Sequence, residues 1–426
     1  GVNSKQVNRA LPTLECSKSK RSNSWTALTT VKQRPLKQQT EHITSEASLR
    51  GFIRFIPRPS GWQCFALLIA FLVLIPLSVL AFAWLEPAWD IWKHLQETLL
   101  SRLLLNTLVL VLGVSAGTLL LGVSLAWLTG ACDFPGRKHF SWSLLLPLAM
   151  PTYVLAFVSL GIFDFSGPVQ TQMREWFGRG VWLPDMRSAG GVVLVMSLAL
   201  YPYVYLLARN AFRTQGKRAL EAAESLGCTP VQGFFRVVLP MARPWIAGGA
   251  TLVLMEALAD FGAVSIFNYD TFTTAIYKTW FGFFSLPAAA QLSSLLVAIV
   301  FLLVALEQRL RKRMRFAQSR LAPQAERIEL TGSSRWLATS YCSLVLLIAF
   351  LLPALQLLVW SLEVFHEEFD SRYLSLLAHS LTLGLIAAVA ITAVALLLAY
   401  AGRRHQDRLT HGLIRTATLG YALPGT

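Results

Sequence analysis

Residues Gly190–Pro240 read GGVVLVMSLALYPYVYLLARNAFRTQGKRALEAAESLGCTPVQGFFRVVLP. The first part, 190–208, carries no charged side chain and is about as long as a helix must be to cross the hydrocarbon core of a bilayer. The next part is its opposite: between 209 and 243 stand Arg209, Arg213, Lys217, Arg218, Arg236 and Arg243 against Glu221 and Glu224. An apolar run that opens directly into a basic loop predicts a membrane-spanning helix leaving the bilayer on its cytoplasmic side.

Working outward, the same alternation repeats. Candidate spans fall at 62–84, 104–128, 142–163, 190–208, 244–267, 286–306, 336–360 and 380–401, with a ninth starting near 412. Trp62, Trp84, Trp142, Trp336 and Trp360 sit at span ends, where amphipathic rings favour the headgroup level. Every second loop is basic: Arg137 and Lys138, the 209–243 loop, the 307–335 segment, and Arg403, Arg404 and Arg408. The loops between them are neutral or acidic, with Glu86, Asp90 and Glu97, or Glu363, Glu367, Glu368 and Asp370. This predicts a multi-pass protein with its N-terminus cytoplasmic. The composition agrees: 54% hydrophobic and only 14% charged, against about a quarter charged in soluble domains. A net charge of +15 would suggest nucleic acid in a soluble chain. Here it is distributed as membrane orientation requires, so the bilayer is the expected partner and nucleic acid is not. The five cysteines are scattered without metal or redox spacing.

Four segments follow. Residues 1–58 have eleven Lys and Arg against Glu15, Glu41 and Glu46 and too little apolar surface to fold alone, so a solvated basic tail is expected, with Phe52–Phe55 at the membrane surface. Residues 59–306 hold six spans, 307–335 form a basic cytoplasmic linker, and 336–426 restart the first pattern. Leu105-Asn106-Thr107-Leu108 resembles Ala378-His379-Ser380-Leu381. Ala126-Trp127 aligns with Ala399-Tyr400 at the same offset, as do Ala149-Met150-Pro151 and Ala422-Leu423-Pro424, while Pro76 pairs with Pro353. An even number of spans per copy makes this a parallel repeat, and the second copy is expected to be incomplete. Pro151 and Pro424 are expected to kink their spans.

In the 209–243 loop, Arg218–Leu226 has strong helix formers and predicts a short helix. Gly227 permits the positive φ that ends it, Pro230 suits the first turn of a second helix, and Pro240 is expected to break the chain before the next span. Ala222 and Ala223 leave a small face that a partner groove could accept. The spacing Glu221-Ala222-Ala223, three residues to Gly227, nine more to Val237, then Leu239-Pro240 resembles the EAA loop of the permease subunits of binding-protein-dependent ABC importers. That resemblance implies an all-α, polytopic bundle of the type I ABC-importer permease fold, two parallel repeats of about six helices each. It also implies that Glu221, Ala222, Ala223, Gly227, Val237, Leu239 and Pro240 form the elbow that docks on an ATP-binding subunit, expected in two copies, while a periplasmic binding protein delivers substrate to a bacterial inner membrane. Glu256-Ala257-Leu258-Ala259-Asp260-Phe261-Gly262, with Asp270–Ile276 and Trp280-Phe281-Gly282, looks most like the ferric-iron branch. The same machinery for thiamine, a phosphonate or a polyamine, or an ion-driven secondary transporter, stays open.

Glu256 and Asp260, four residues apart in the fifth span, share one helix face. Acids at membrane depth are costly and face a cavity or the bundle interior. They are candidates for lining a cation pathway, or for purely structural acids, and Asp260-Phe261-Gly262 could itself end the helix. Gly113 and Gly117 suit close helix packing. Gly216-Lys217-Arg218 is not a phosphate-binding loop and His366-Glu367-Glu368 lacks zinc spacing, so no enzyme site, cofactor or metal is expected.

Overall fold

The computed structural model describes residues 60–85, 87–178, 185–312, 327–368, 370–418 and 420. The basic tail, Phe52–Phe55, Pro424 and the last part of the expected ninth span lie outside these residues. The described chain is almost wholly helical. α1 (Gly61–Phe82) starts at a capping box in which Ser60 and Gln63 satisfy each other's backbone N–H. The short amphipathic α2 (Trp89–Thr98) precedes the long α3 (Leu100–Ala131). A two-residue strand, β1 (Cys132–Asp133), and α4 (Arg137–Ser143) follow.

The third expected span is not one helix from 142 to 163. A 3₁₀ turn at Leu146–Ala149 intervenes, and Met150 is extended at φ −104° and ψ 119°. The residue before a proline is driven out of helical conformation, so Pro151 restarts the helix where a kink was expected. α5 (Thr152–Phe163) and α6 (Pro168–Phe177) together form that crossing.

α7 (Ala189–Ser225) tolerates Pro202 within it and carries the apolar span and the first arm of the loop as one helix. α8 (Pro230–Gly233) leads through a π turn at Phe234–Val238 into α9 (Leu239–Ala259). The break expected at Pro240 does not occur. In the π turn the Leu239 N–H reaches back to the Phe234 carbonyl, and the widened turn makes room for the following proline ring. The device recurs downstream: α13 (Ser333–Leu346) passes through a π turn at Leu347–Leu351, one residue short of Pro353 by way of Leu352, into α14 (Leu352–Glu368). In order between these lie α10 (Gly262–Ile266), α11 (Phe272–Phe281), α12 (Leu286–Lys312) and β2 (Ile328–Glu329). α15 (Ser371–Arg404) and α16 (Arg408–Thr418) close the described chain. Eight of these segments are long and apolar enough to cross a membrane, matching the first eight expected spans in order.

The most extensive helix contact joins α3 to α7, and glycines make it possible. A Cβ on Gly113 would meet Val193 at 2.8 Å, one on Gly117 would meet Ser197 Cβ at 2.8 Å, and one on Gly122 would meet Val204 Cβ at 2.7 Å. Between helices surrounded by lipid, where apolar burial drives little, such close backbone approach supplies the attraction. α9 crosses the same helix at Gly249, whose added Cβ would lie 2.6 Å from Val204 Cα. Trp360, expected at a span end, lies inside α14 and packs on Phe157 with ring centroids 5.8 Å apart.

Candidate coupling elbow and membrane acid pair

The elbow is the turn between α7 and α8, and local backbone chemistry builds it. The last turn of α7 ends in a Schellman motif: Cys228 N–H reaches the Ala223 carbonyl at 3.1 Å and Gly227 N–H reaches the Glu224 carbonyl at 2.9 Å. Gly227 sits at φ +86°, and a Cβ there would meet nothing within 4 Å, so its demand is conformational rather than steric. Thr229 then caps α8 in a second capping box with Gln232. The first arm is the end of the spanning helix itself, not a separate short helix.

The alanines divide their work. Ala222 is exposed, as are Glu221 and Glu224. Ala223 is buried inside the elbow, where a Cβ on Gly233 would stand 3.2 Å from its own and 2.8 Å from Leu220 Cδ1. Small residues at 223 and 233 therefore let the two arms close. Val237, Leu239 and Pro240 are half-buried and Val238 is buried. Phe234 anchors the second arm on α3 and α7, with ring centroids 4.9 Å from Trp127 and 6.2 Å from Phe212. Leu226, Val231 and Phe235 point outward, 84%, 66% and 61% exposed. The motif spacing did not single out these three apolar side chains, nor Phe234 and Gly233.

At the other end of α9 the two acids separate in role. Asp260 stops α9: one carboxylate oxygen accepts from the Ala263 N–H at 2.9 Å and the Val264 N–H at 3.3 Å, and the other accepts from the Thr152 hydroxyl at 2.5 Å. The Asp260 carbonyl accepts from the Thr273 hydroxyl at 2.8 Å. Asp260 thus ties together the starts of α5, α10 and α11. Glu256, half-buried one turn earlier, accepts from the Tyr203 hydroxyl at 3.5 Å.

The segment before α13 lies against the elbow. β2 pairs parallel with β1, Cys132 beside Ile328 and Asp133 beside Glu329, and the Leu330 N–H reaches the Asp133 carbonyl at 3.1 Å. A cleft of about 650 Å³ opens between this strap and α7, lined by Asp133, Lys217, Glu221, Glu224, Arg327 and Glu329 among others. Burial pushes the Arg327 guanidinium below its ordinary range; Arg137, Arg213 and Arg209 push it further, and Asp133 pulls the other way. Among the described residues no three His, Cys, Asp or Glu side chains could hold a metal ion.

Eight apolar crossings with almost no sheet define a polytopic, all-helical membrane protein. Residues 119–316, which include the elbow and both acids, match the family of the binding-protein-dependent transport system inner membrane component. The chain is 29% identical to the Fe(3+)-transport system permease protein FbpB 2 of Haemophilus influenzae, over 76% of its own length and 62% of that protein's. It is 26% identical to the sulfate transport system permease protein CysT of Escherichia coli, over 56% of this chain and 86% of the relative. It is 29% identical to a probable molybdenum ABC transporter permease of Haloferax volcanii, over 59% of this chain and 90% of the relative.

Proposed function

We propose that this chain is the membrane-spanning subunit of an ATP-driven importer, moving a substrate handed over by a binding protein on the face opposite the elbow. The observation that carries the reading is the elbow: a two-armed turn, closed by its own backbone and packing, that leaves Ala222, Leu226, Val231 and Phe235 uncovered. Such a knob suits a groove on an ATP-binding subunit, two copies of which would engage the transporter. Because α7 runs unbroken from elbow to opposite face, a push on the knob moves a rigid rod through the bundle. Glu221, Glu224 and Lys217 edge that contact, while Val237, Leu239 and Pro240 carry the movement into α9. The basic loops put the elbow, and with it the N-terminus, on the cytoplasmic side.

The proposed substrate is ferric iron. A permease named for Fe(3+) is the relative that matches the longest stretch of the chain among those described above, and Glu256 on α9 offers a carboxylate at membrane depth that suits a cation better than an oxyanion. Asp260 positions the helix ends around it.

Vesicles carrying the full chain with its ATPase and binding protein should accumulate labelled ferric iron on ATP hydrolysis. Uptake of sulfate or molybdate instead would reassign the substrate and keep the machinery. Uptake without ATPase would remove the whole reading. Sidedness is checked separately: in intact cells Cys228 should resist a membrane-impermeant maleimide and react in inverted vesicles.

A further inference from the structure

α9 stops at Asp260 and α12 starts at Leu286, so the chain between them stays at the bilayer face opposite the elbow. α11, in the middle of this stretch, rises about 15 Å and is too short to cross. Its inward face is closed, with Phe272, Thr273, Thr274, Ala275, Ile276 and Thr279 buried. Its outward face is aromatic. Phe261 packs on Tyr277 with ring centroids 5.1 Å apart, and Phe281 lies 4.7 Å from both Tyr277 and Trp280. Tyr277, Trp280 and Phe281 are half exposed, and Phe283 and Leu286 extend the patch. Phe284 lies at φ +51° and is 89% exposed. The turn sets this backbone: the Phe283 N–H reaches the Lys278 carbonyl and the Ser285 N–H the Thr279 carbonyl, both at 3.3 Å. A bulky side chain in the left-handed region is strained. Glycine would satisfy the turn, and Phe284 gains no cover from its own chain. A strained, uncovered ring beside an exposed apolar patch marks contact with something outside the chain.

Depth identifies the occupant. The apolar crossing that starts at Leu286 runs 24 residues to Arg309. That is about 36 Å of helix against about 30 Å of hydrocarbon. Its first turn therefore stands at the edge of the hydrocarbon, and the rings just before it stand at headgroup level. Tyrosine and tryptophan favour that level, with the ring in the apolar layer and the polar atom in the wet one. Lys278, paired with Asp270 at 2.5 Å, puts charge on the same ledge. We propose that α11 and the turn after it are an interfacial anchor, seated through Tyr277, Trp280, Phe281 and Phe284 in the phospholipid headgroup layer opposite the elbow. The anchor acts on the end of α9, because the Thr273 hydroxyl of α11 holds the Asp260 carbonyl at 2.8 Å and Phe261 packs on Tyr277. Lipid contact at the ledge thus fixes the height of the Asp260 joint in the membrane. The anchor does not depend on what the protein transports.

The test uses the full chain in phosphatidylcholine vesicles, its native cysteines replaced by alanine, with one nitroxide probe at a time on Phe284→Cys, Leu302→Cys or Glu224→Cys. Leu302, 69% exposed within the α12 crossing, reports the bilayer interior, and the exposed Glu224 of the elbow reports water. Collision with dissolved oxygen, which concentrates in lipid, is compared with collision with a water-soluble nickel chelate. The oxygen-to-nickel ratio at Phe284→Cys should be severalfold above that at Glu224→Cys and below that at Leu302→Cys. A ratio equal to that of Glu224→Cys leaves the ledge in water and overturns the proposal. Protection from both reagents means that protein covers the ledge, and overturns it too. Shielding that appears only on adding the external binding protein makes the ledge that partner's docking surface instead. Should Phe284→Cys fail to fold, Trp280→Cys reads the same layer from α11.

Discussion

The two ends of the α7–α9 hairpin are built by opposite means. At the elbow, residues adjacent in sequence do everything: a left-handed glycine, a threonine cap, a proline at a helix start and two small residues where the arms meet. At the far end, Asp260 closes α9 with partners drawn from three other helices, Thr152 from α5, Ala263 and Val264 from α10 and Thr273 from α11. A local device keeps its shape when its surroundings move. A long-range knot holds only while its helices stay together. Under the proposed function, in which force enters at the elbow and the far end opens, this places stiffness at the input and a releasable clasp at the output.

The shaft between them gives the largest expected effect and the sharpest control on that contrast. Gly122→Val puts side-chain atoms where Val204 Cβ already stands within 2.7 Å of the first added carbon. Overpacking of this kind costs about 3 kcal/mol. Unfolding titrated with a denaturing detergent should show a loss of that order, with both ends failing together. If stability is retained, α3 and α7 can separate cheaply and the rigid-rod argument fails.

Next comes Asp260→Ala, which strands two N–H donors and a hydroxyl. The expected loss is about 2 kcal/mol, and Asp260→Asn should recover most of it because an amide oxygen can still accept from Ala263. In transport assays Asn should be near normal if Asp260 is a clasp. If Asn abolishes uptake while stability is unchanged, the carboxylate itself meets the substrate.

How much of this could be read from sequence follows the same division. Gly227 and Pro230 act through their own backbone preferences, so the sequence located them, and the eight crossings followed from apolar length, whereas the Thr229 cap was not singled out. The unbroken helix at Pro240 was not legible, because a π turn depends on how Phe234 seats against Trp127 and Phe212. Nor was the division between Ala222 and Ala223, which only the position of Gly233 decides. The acids at 256 and 260 were visible as a pair on one face. That one is a cap and the other is not depends on Thr152, more than a hundred residues earlier in the chain. The β1–β2 strap lies beyond sequence reasoning for the same reason: two residues of each partner carry no pattern.

Gly227→Ala is the smaller perturbation on stability, about 1–2 kcal/mol for forcing a side chain into the left-handed region, and no clash adds to it because the space around Gly227 is open. Its functional effect should be out of proportion. The turn that presents Leu226 and Val231 shifts, so capture of the ATP-binding subunit should drop well below that of wild type while the eight crossings stay intact. Leu226→Ser separates presentation from fold: at 84% exposure it should leave unfolding unchanged within about 0.5 kcal/mol and still weaken capture. If Leu226→Ser binds the ATPase as wild type does, the outward apolar side chains are not the contact, and the elbow's role reduces to joining two helices.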